Sequence, residues 1–179
     1  MAKTKRKPRS AKDHRRTPGN WEPYARVLIV CEGEKTEPNY LKGLVNNFKL
    51  STANVVVLDN QYGSSPDMVV RCALGHLKAD PNFNKVYCVF DKDRHDTYQA
   101  ACTRIKDTKL TRNRTIHAIT SVPCFELWLL LHFEYTTRNY YNVHGSVCDQ
   151  LISDLKAHIQ NYEKGNTNIF ETLKQEFQA

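Results

Sequence analysis

The chain has 179 residues, 40% of them hydrophobic and 25% charged, with seven glycines, seven prolines and six cysteines. These figures exclude a fibrous or low-complexity chain and fit one globular domain with at most a small appendage. The formal net charge is +7, and all of it sits at one end. Residues 1–20 hold Lys3, Lys5, Arg6, Lys7, Arg9, Lys12, Arg15 and Arg16 against Asp13 alone, while the rest of the chain carries 18 basic and 18 acidic side chains.

That arm also contains Pro8, Pro18 and Gly19 and almost no large apolar residue, so it is expected to be disordered on its own. Its charge suits contact with nucleic acid, because each Lys or Arg that neutralises a phosphate releases counterions. The N-terminus is basic without a following apolar core, so no signal peptide is expected. The longest apolar run, Leu127 to Leu131, is too short to span a bilayer. No C-x-x-C pair occurs among Cys31, Cys72, Cys88, Cys102, Cys124 and Cys148, which argues against a zinc site. Cysteines within apolar stretches read as small buried hydrophobes, and a cytoplasmic setting fits.

In chain order, Arg26-Val-Leu-Ile-Val-Cys31 is a continuous β-branched apolar run, the pattern of a strand buried on both faces. A helix is predicted from about Thr36, with Thr36 as its cap, Glu37 at the positive end of the dipole and Pro38 in the first turn. Leu41, Leu44, Val45 and Phe48 supply its apolar face. Residues 54–58 read as the second strand. Gly63-Ser64-Ser65-Pro66 leads into a helix with Met68, Val69, Cys72, Ala73 and Leu77 inward. Residues 85–90 form the third strand, Thr97 to Lys106 a helix, and Thr115 to Thr120 the fourth strand. Pro123 opens an apolar helix, Phe125 to Phe133, with Trp128 in the core. From about Gly145, two polar helices are broken near Gly165. The alternation predicts an α/β fold: a mostly parallel sheet of about four strands with helices on both faces, plus C-terminal helices. The chain thus divides into a basic arm (1–20), an α/β domain (21–144) and a helical appendage (145–179).

Two acidic motifs follow predicted strands. Glu32 comes directly after the first, before Gly33, which permits a tight turn. Asp91 and Asp93 follow the third, and alternate residues at a strand end point to one side. In a parallel sheet both strand ends face one crevice, where open α/β folds place ligands. Three carboxylates there can hold Mg²⁺ or Mn²⁺ and clamp a phosphodiester. Glu34 and Lys35 lie on the same turn. Arg94 and His95 follow the aspartates and can contact a phosphate, although a solvated loop is the more ordinary reading of His95. Tyr135, Tyr140 and Tyr141 beside Arg138 suit base stacking or a half-buried turn. Lys164 is a late basic residue in reach of such a site. No P-loop and no Ser-His-Asp triad is visible.

Glu32-Gly33 after one strand and Asp91-Lys92-Asp93 after a later one resemble a TOPRIM domain, the metal-binding module of topoisomerases, bacterial primases and OLD-type nucleases. The segments Val27 to Tyr40 and Pro123 to Leu130 resemble the RloB family, which includes AbiLii-type abortive-infection proteins, and the resemblance covers roughly residues 20 to 175. It implies a prokaryotic TOPRIM-like protein encoded beside an ABC-type ATPase in a phage-defence locus. By carry-over, Glu32 is the TOPRIM glutamate, a general acid/base or metal ligand, and Asp91 and Asp93 are metal ligands. Glu37 falls near an acidic position of OLD-like relatives, and Glu126 is a candidate further acid.

The leading expectation is a Mg²⁺-dependent nuclease using water as nucleophile, an endoribonuclease acting on tRNA or other RNA, with DNA the second choice. It would be the effector of an abortive-infection system with a partner ATPase, and self-association is compatible with it. The alternative is a non-catalytic subunit that binds nucleic acid or the ATPase. A phosphotransferase of the HAD type fits less well, because His95 stands where its motif carries Thr or Val.

Overall fold

The computed structural model describes residues 25–174 apart from residues 53, 60–62, 64, 93–95, 112 and 141–145. The basic arm therefore lies outside the described residues. The elements are β1 (Arg26–Cys31), α1 (Thr36–Asn47), β2 (Val55–Leu58), α2 (Pro66–Ala79), β3 (Phe83–Asp91), α3 (Tyr98–Asp107), β4 (Thr115–Ser121), α4 (Glu126–Leu130), α5 (Val147–His158) and α6 (Ile169–Leu173). All four strands are parallel, in the order β2-β1-β3-β4. The predicted α/β sheet is present, and its strand boundaries lie within two residues of those read from the apolar runs.

Strand alternation sorts the core into two layers. Leu28 and Val30 of β1 and Val86, Cys88 and Phe90 of β3 face α2 and α3, meeting Val69, Val70, Ala73, Leu77 and Ala101. Cys31 and Val89 face the other way, into a cluster built from α1, α4, α5 and α6. The two C-terminal helices, polar as the sequence reads them, bury Leu151, Leu155, Ile169, Phe170 and Leu173 in that second cluster. Ser146 starts α5 with a capping box: its Oγ accepts the Cys148 N–H at 3.2 Å, and the Asp149 carboxylate accepts the Ser146 N–H at 3.1 Å. At Gly43, α1 and α6 approach so closely that a Cβ would lie 2.9 Å from Phe170 Cγ.

The helix after β1 and the helix after β3 leave toward opposite faces of the sheet. Strands β1 and β3 are neighbours, so the chain diverges at their C-terminal ends and opens a crevice there. This is the switch point of the sheet order, where β1 feeds β2 on one side and β3 feeds β4 on the other.

Local corrections have simple causes. Thr36 is the first helical residue rather than the cap; Lys35 holds the cap position without a side-chain bond, and Thr36 Oγ1 accepts the Gly165 N–H at 3.1 Å. The helix expected over Phe125–Phe133 is regular only from Glu126 to Leu130, after a cis Val122–Pro123 bond. Trp128 is not core: it is 46% exposed, while Leu129 and Leu130 are fully buried. At about 100° per residue, a helix that turns positions 129 and 130 inward leaves 128 and 131 on its flanks. Met68 likewise lies at the edge of its helix and is exposed, while Val70 takes an inward place.

Candidate active site

The crevice at the β1/β3 edge has a volume of about 570 Å³ and is lined by the 32–37 turn, Asp91, Phe125, Glu126, Lys164 and Gly165. Ladder hydrogen bonding fixes its floor. The Glu32 N–H donates to Val89 O at 2.8 Å, so Glu32 is still held in register with β3. Its side chain then turns across, and Oε2 accepts the Asp91 N–H at 3.0 Å. The strand-end glutamate and the strand-end aspartate are thereby brought together by backbone geometry.

Two further acids enter from elsewhere. Glu37, buried in the first turn of α1, folds its carboxylate back onto the backbone N–H groups of Gly33 and its own residue. It thus supplies the helix start with the anion that the positive end of the dipole favours. The same fold-back explains Gly33: a Cβ there would sit 2.6 Å from Glu37 Cδ. Glu126 opens α4 and is only 3% exposed. Its Oε1 accepts the Tyr162 hydroxyl at 3.2 Å and lies 3.4 Å from Lys164 Nζ.

Four carboxylates in one half-closed crevice repel one another. Burial, then Glu37, and further Glu126 and Glu32 push the Asp91 carboxyl up to about 8, against the opposing effect of a hydrogen bond from the Phe125 backbone. Burial also raises Glu37, helped by Glu126 and Glu32. Partial burial pulls the Lys164 ammonium down, but Glu126 beside it leaves it net above its ordinary value. Burial raises the Cys31 thiol far above its ordinary range, which makes it inert as a nucleophile at neutral pH.

Of the residues singled out from sequence, Glu32, Lys35, Glu37, Asp91, Glu126 and Lys164 all line this crevice. Asp93, Arg94 and His95 lie outside the described residues. Arg138 and Tyr140 instead bind Asp154 of α5, at 2.6 and 3.0 Å, while Tyr135 is almost fully exposed and Tyr141 is outside the described residues. Sequence reading missed Tyr162 and the role of Thr36 at the crevice wall. Neither carries a motif signal, because their function depends on the 162–166 turn folding back over α1.

Among the described residues, no set of three His, Cys, Asp or Glu side chains is gathered closely enough to cage an ion. The donor chemistry nevertheless fits a hard divalent cation. The acids offer only oxygen, and Mg²⁺ keeps several waters while taking one or two protein carboxylates. Glu32 and Asp91 are the pair that would hold it. No helix among the described residues is long and apolar enough to cross a membrane.

Fold and site together define an open parallel α/β protein with an acidic crevice at its switch point. The chain matches the RloB-like protein family over residues 27–179 and belongs to that family. Neither the curated proteins nor the solved structures compared with it gave a match.

Proposed function

We propose that this protein is a Mg²⁺- or Mn²⁺-dependent nuclease of the TOPRIM type, acting on RNA in preference to DNA, in a prokaryotic defence system with a partner ATPase. The observation that carries the reading is the Glu32–Asp91 pairing at the sheet switch point, with Glu37 and Glu126 in the same crevice. Such crowding of like charges costs stability unless a cation offsets it. A divalent cation bound there would neutralise phosphate charge and polarise the phosphoryl group.

The remaining chemistry belongs to the chain. Glu32 and Asp91, set on rigid strand ends, would hold the cation and so fix where the scissile phosphate can sit. Glu37, whose carboxylate burial makes more basic than an ordinary glutamate, is suited to accept a proton from an attacking water. The water oxygen bonds to phosphorus as the bond to the leaving nucleoside oxygen breaks, and that oxygen takes a proton from solvent. Lys164 and Lys35 at the rim balance charge on non-bridging oxygens. The arm of residues 1–20 adds sequence-independent affinity for the phosphate backbone.

The competing reading is a non-catalytic subunit that docks on nucleic acid or on the ATPase. The basic arm of residues 1–20, which can contact nucleic acid without any catalysis, speaks for it. Purified protein, incubated with labelled tRNA, other RNA and plasmid DNA in Mg²⁺ or Mn²⁺, separates the two. Cleavage of RNA that disappears in Glu32→Gln and Asp91→Asn supports the nuclease. Cleavage that persists in both variants, or no cleavage with the ATPase present, refutes it.

A further inference from the structure

Tyr162 is 2% exposed and belongs to no catalytic pattern, yet its hydroxyl ends on a crevice acid. Two hydrogen bonds fix its surroundings. The Tyr162 hydroxyl donates to Glu126 Oε1 at 3.2 Å, and the Gly165 N–H, three residues on, donates to Thr36 Oγ1 at 3.1 Å. The turn that carries Tyr162 is fastened to α1 as well. Asn39 Nδ2 donates to Gly165 O at 3.1 Å and to Asn166 O at 3.4 Å. Gly165 has φ +83°, and a Cβ on it would lie 2.8 Å from Lys35 Cδ, so this position requires glycine.

Tyr162 and Lys164 both engage Oε1 of Glu126. A buried carboxylate held on one oxygen by a fixed donor keeps one orientation, and hydrogen bonds behind a ligand set its geometry and basicity. We infer that Tyr162, on the turn that Thr36 and Asn39 fasten to α1, is a positioning residue that orients Glu126 toward the water shell of a divalent cation held by Glu32 and Asp91. The C-terminal turn is then part of the site rather than a cover over it. This rests on the reading of the crevice as a cation site, but not on nuclease activity.

Tyr162→Phe removes one oxygen and keeps the buried ring. Mn²⁺ binding is measured by titration calorimetry on the full chain for wild type, Tyr162→Phe, Glu126→Gln and the double variant. The expected result is Mn²⁺ affinity lower by about 10-fold or more in Tyr162→Phe, with no further loss when the change is made in Glu126→Gln. That non-additivity is what a merely structural tyrosine would not give. Should Tyr162→Phe fail to fold, Thr36→Val removes the acceptor of the Gly165 N–H, loosens the turn that carries Tyr162 and is expected to weaken Mn²⁺ in the same direction. Equal affinity in wild type and variant, an equal loss in the Glu126→Gln background, or no Mn²⁺ binding by wild type overturns the inference. If the affinities behave as expected but no nucleic acid is cleaved, the nuclease reading alone falls.

Discussion

Asp91→Asn should make the cation-free protein more stable above neutral pH. The variant keeps the shape of the side chain and an oxygen to accept the Phe125 N–H, but removes a charge that burial, Glu37, Glu126 and Glu32 oppose. The folded carboxyl titrates near 8, whereas an unfolded aspartate titrates near about 3.9. Between these values the native state holds a proton that the unfolded chain has released. The stabilisation is therefore complete below about pH 4 and is lost as pH rises toward 8, by up to about 1.4 kcal/mol per pH unit. The ceiling over the window is on the order of 5 kcal/mol, and water entry and side-chain relaxation reduce it. Glu37 shifts in the same direction and leaves a residual slope in the variant. Urea denaturation between pH 5 and pH 8.5, in buffer with a chelator, reads this directly. A shallower pH dependence in Asp91→Asn, with higher stability than wild type at pH 8, is the expected outcome. Adding Mg²⁺ should restore wild type by about 2.7 kcal/mol at 100 times its Kd and leave the variant nearly unchanged. Identical slopes in the two proteins would refute the reasoning.

Other variants probe other links. Gly43→Ala forces a methyl against Phe170 and should destabilise the protein by about 1–3 kcal/mol, read as a lower urea midpoint; no change would mean that α1 and α6 separate without cost. Gly33→Ala should displace the Glu37 carboxylate from its backbone donors while preserving the sheet, seen as lowered cleavage at an unchanged far-ultraviolet circular dichroism spectrum. Deleting residues 1–20 should weaken RNA binding and flatten the plot of log affinity against log salt; an unchanged slope would exclude arm–phosphate contact.

The sheet was legible because β1 and β3 carry continuous apolar runs, Val27 to Cys31 and Val86 to Phe90, and because Pro66 and Asp91 punctuate the chain after strands. Glu32 and Asp91 were legible for a related reason: both directly follow such runs, so their location at the crevice follows from parallel topology. Glu126 and Glu37 could be named but not placed, since their orientation depends on a fold-back onto Gly33 and on a contact with Tyr162. Trp128 misled because an apolar run says nothing about which of five consecutive residues a short helix turns outward. Tyr162, Thr36 and Gly165 stayed hidden because their roles arise from contacts more than 30 residues apart in the chain, at Glu126 and at α1.

The most direct test of the central claim is anomalous diffraction from crystals grown with Mn²⁺. The account predicts a Mn²⁺ peak in the crevice within about 2.2 Å of carboxylate oxygens of Glu32 and Asp91, a normal distance for a hard cation on oxygen. A saturating Mn²⁺ concentration that gives no peak there, or peaks only elsewhere on the surface, would contradict it.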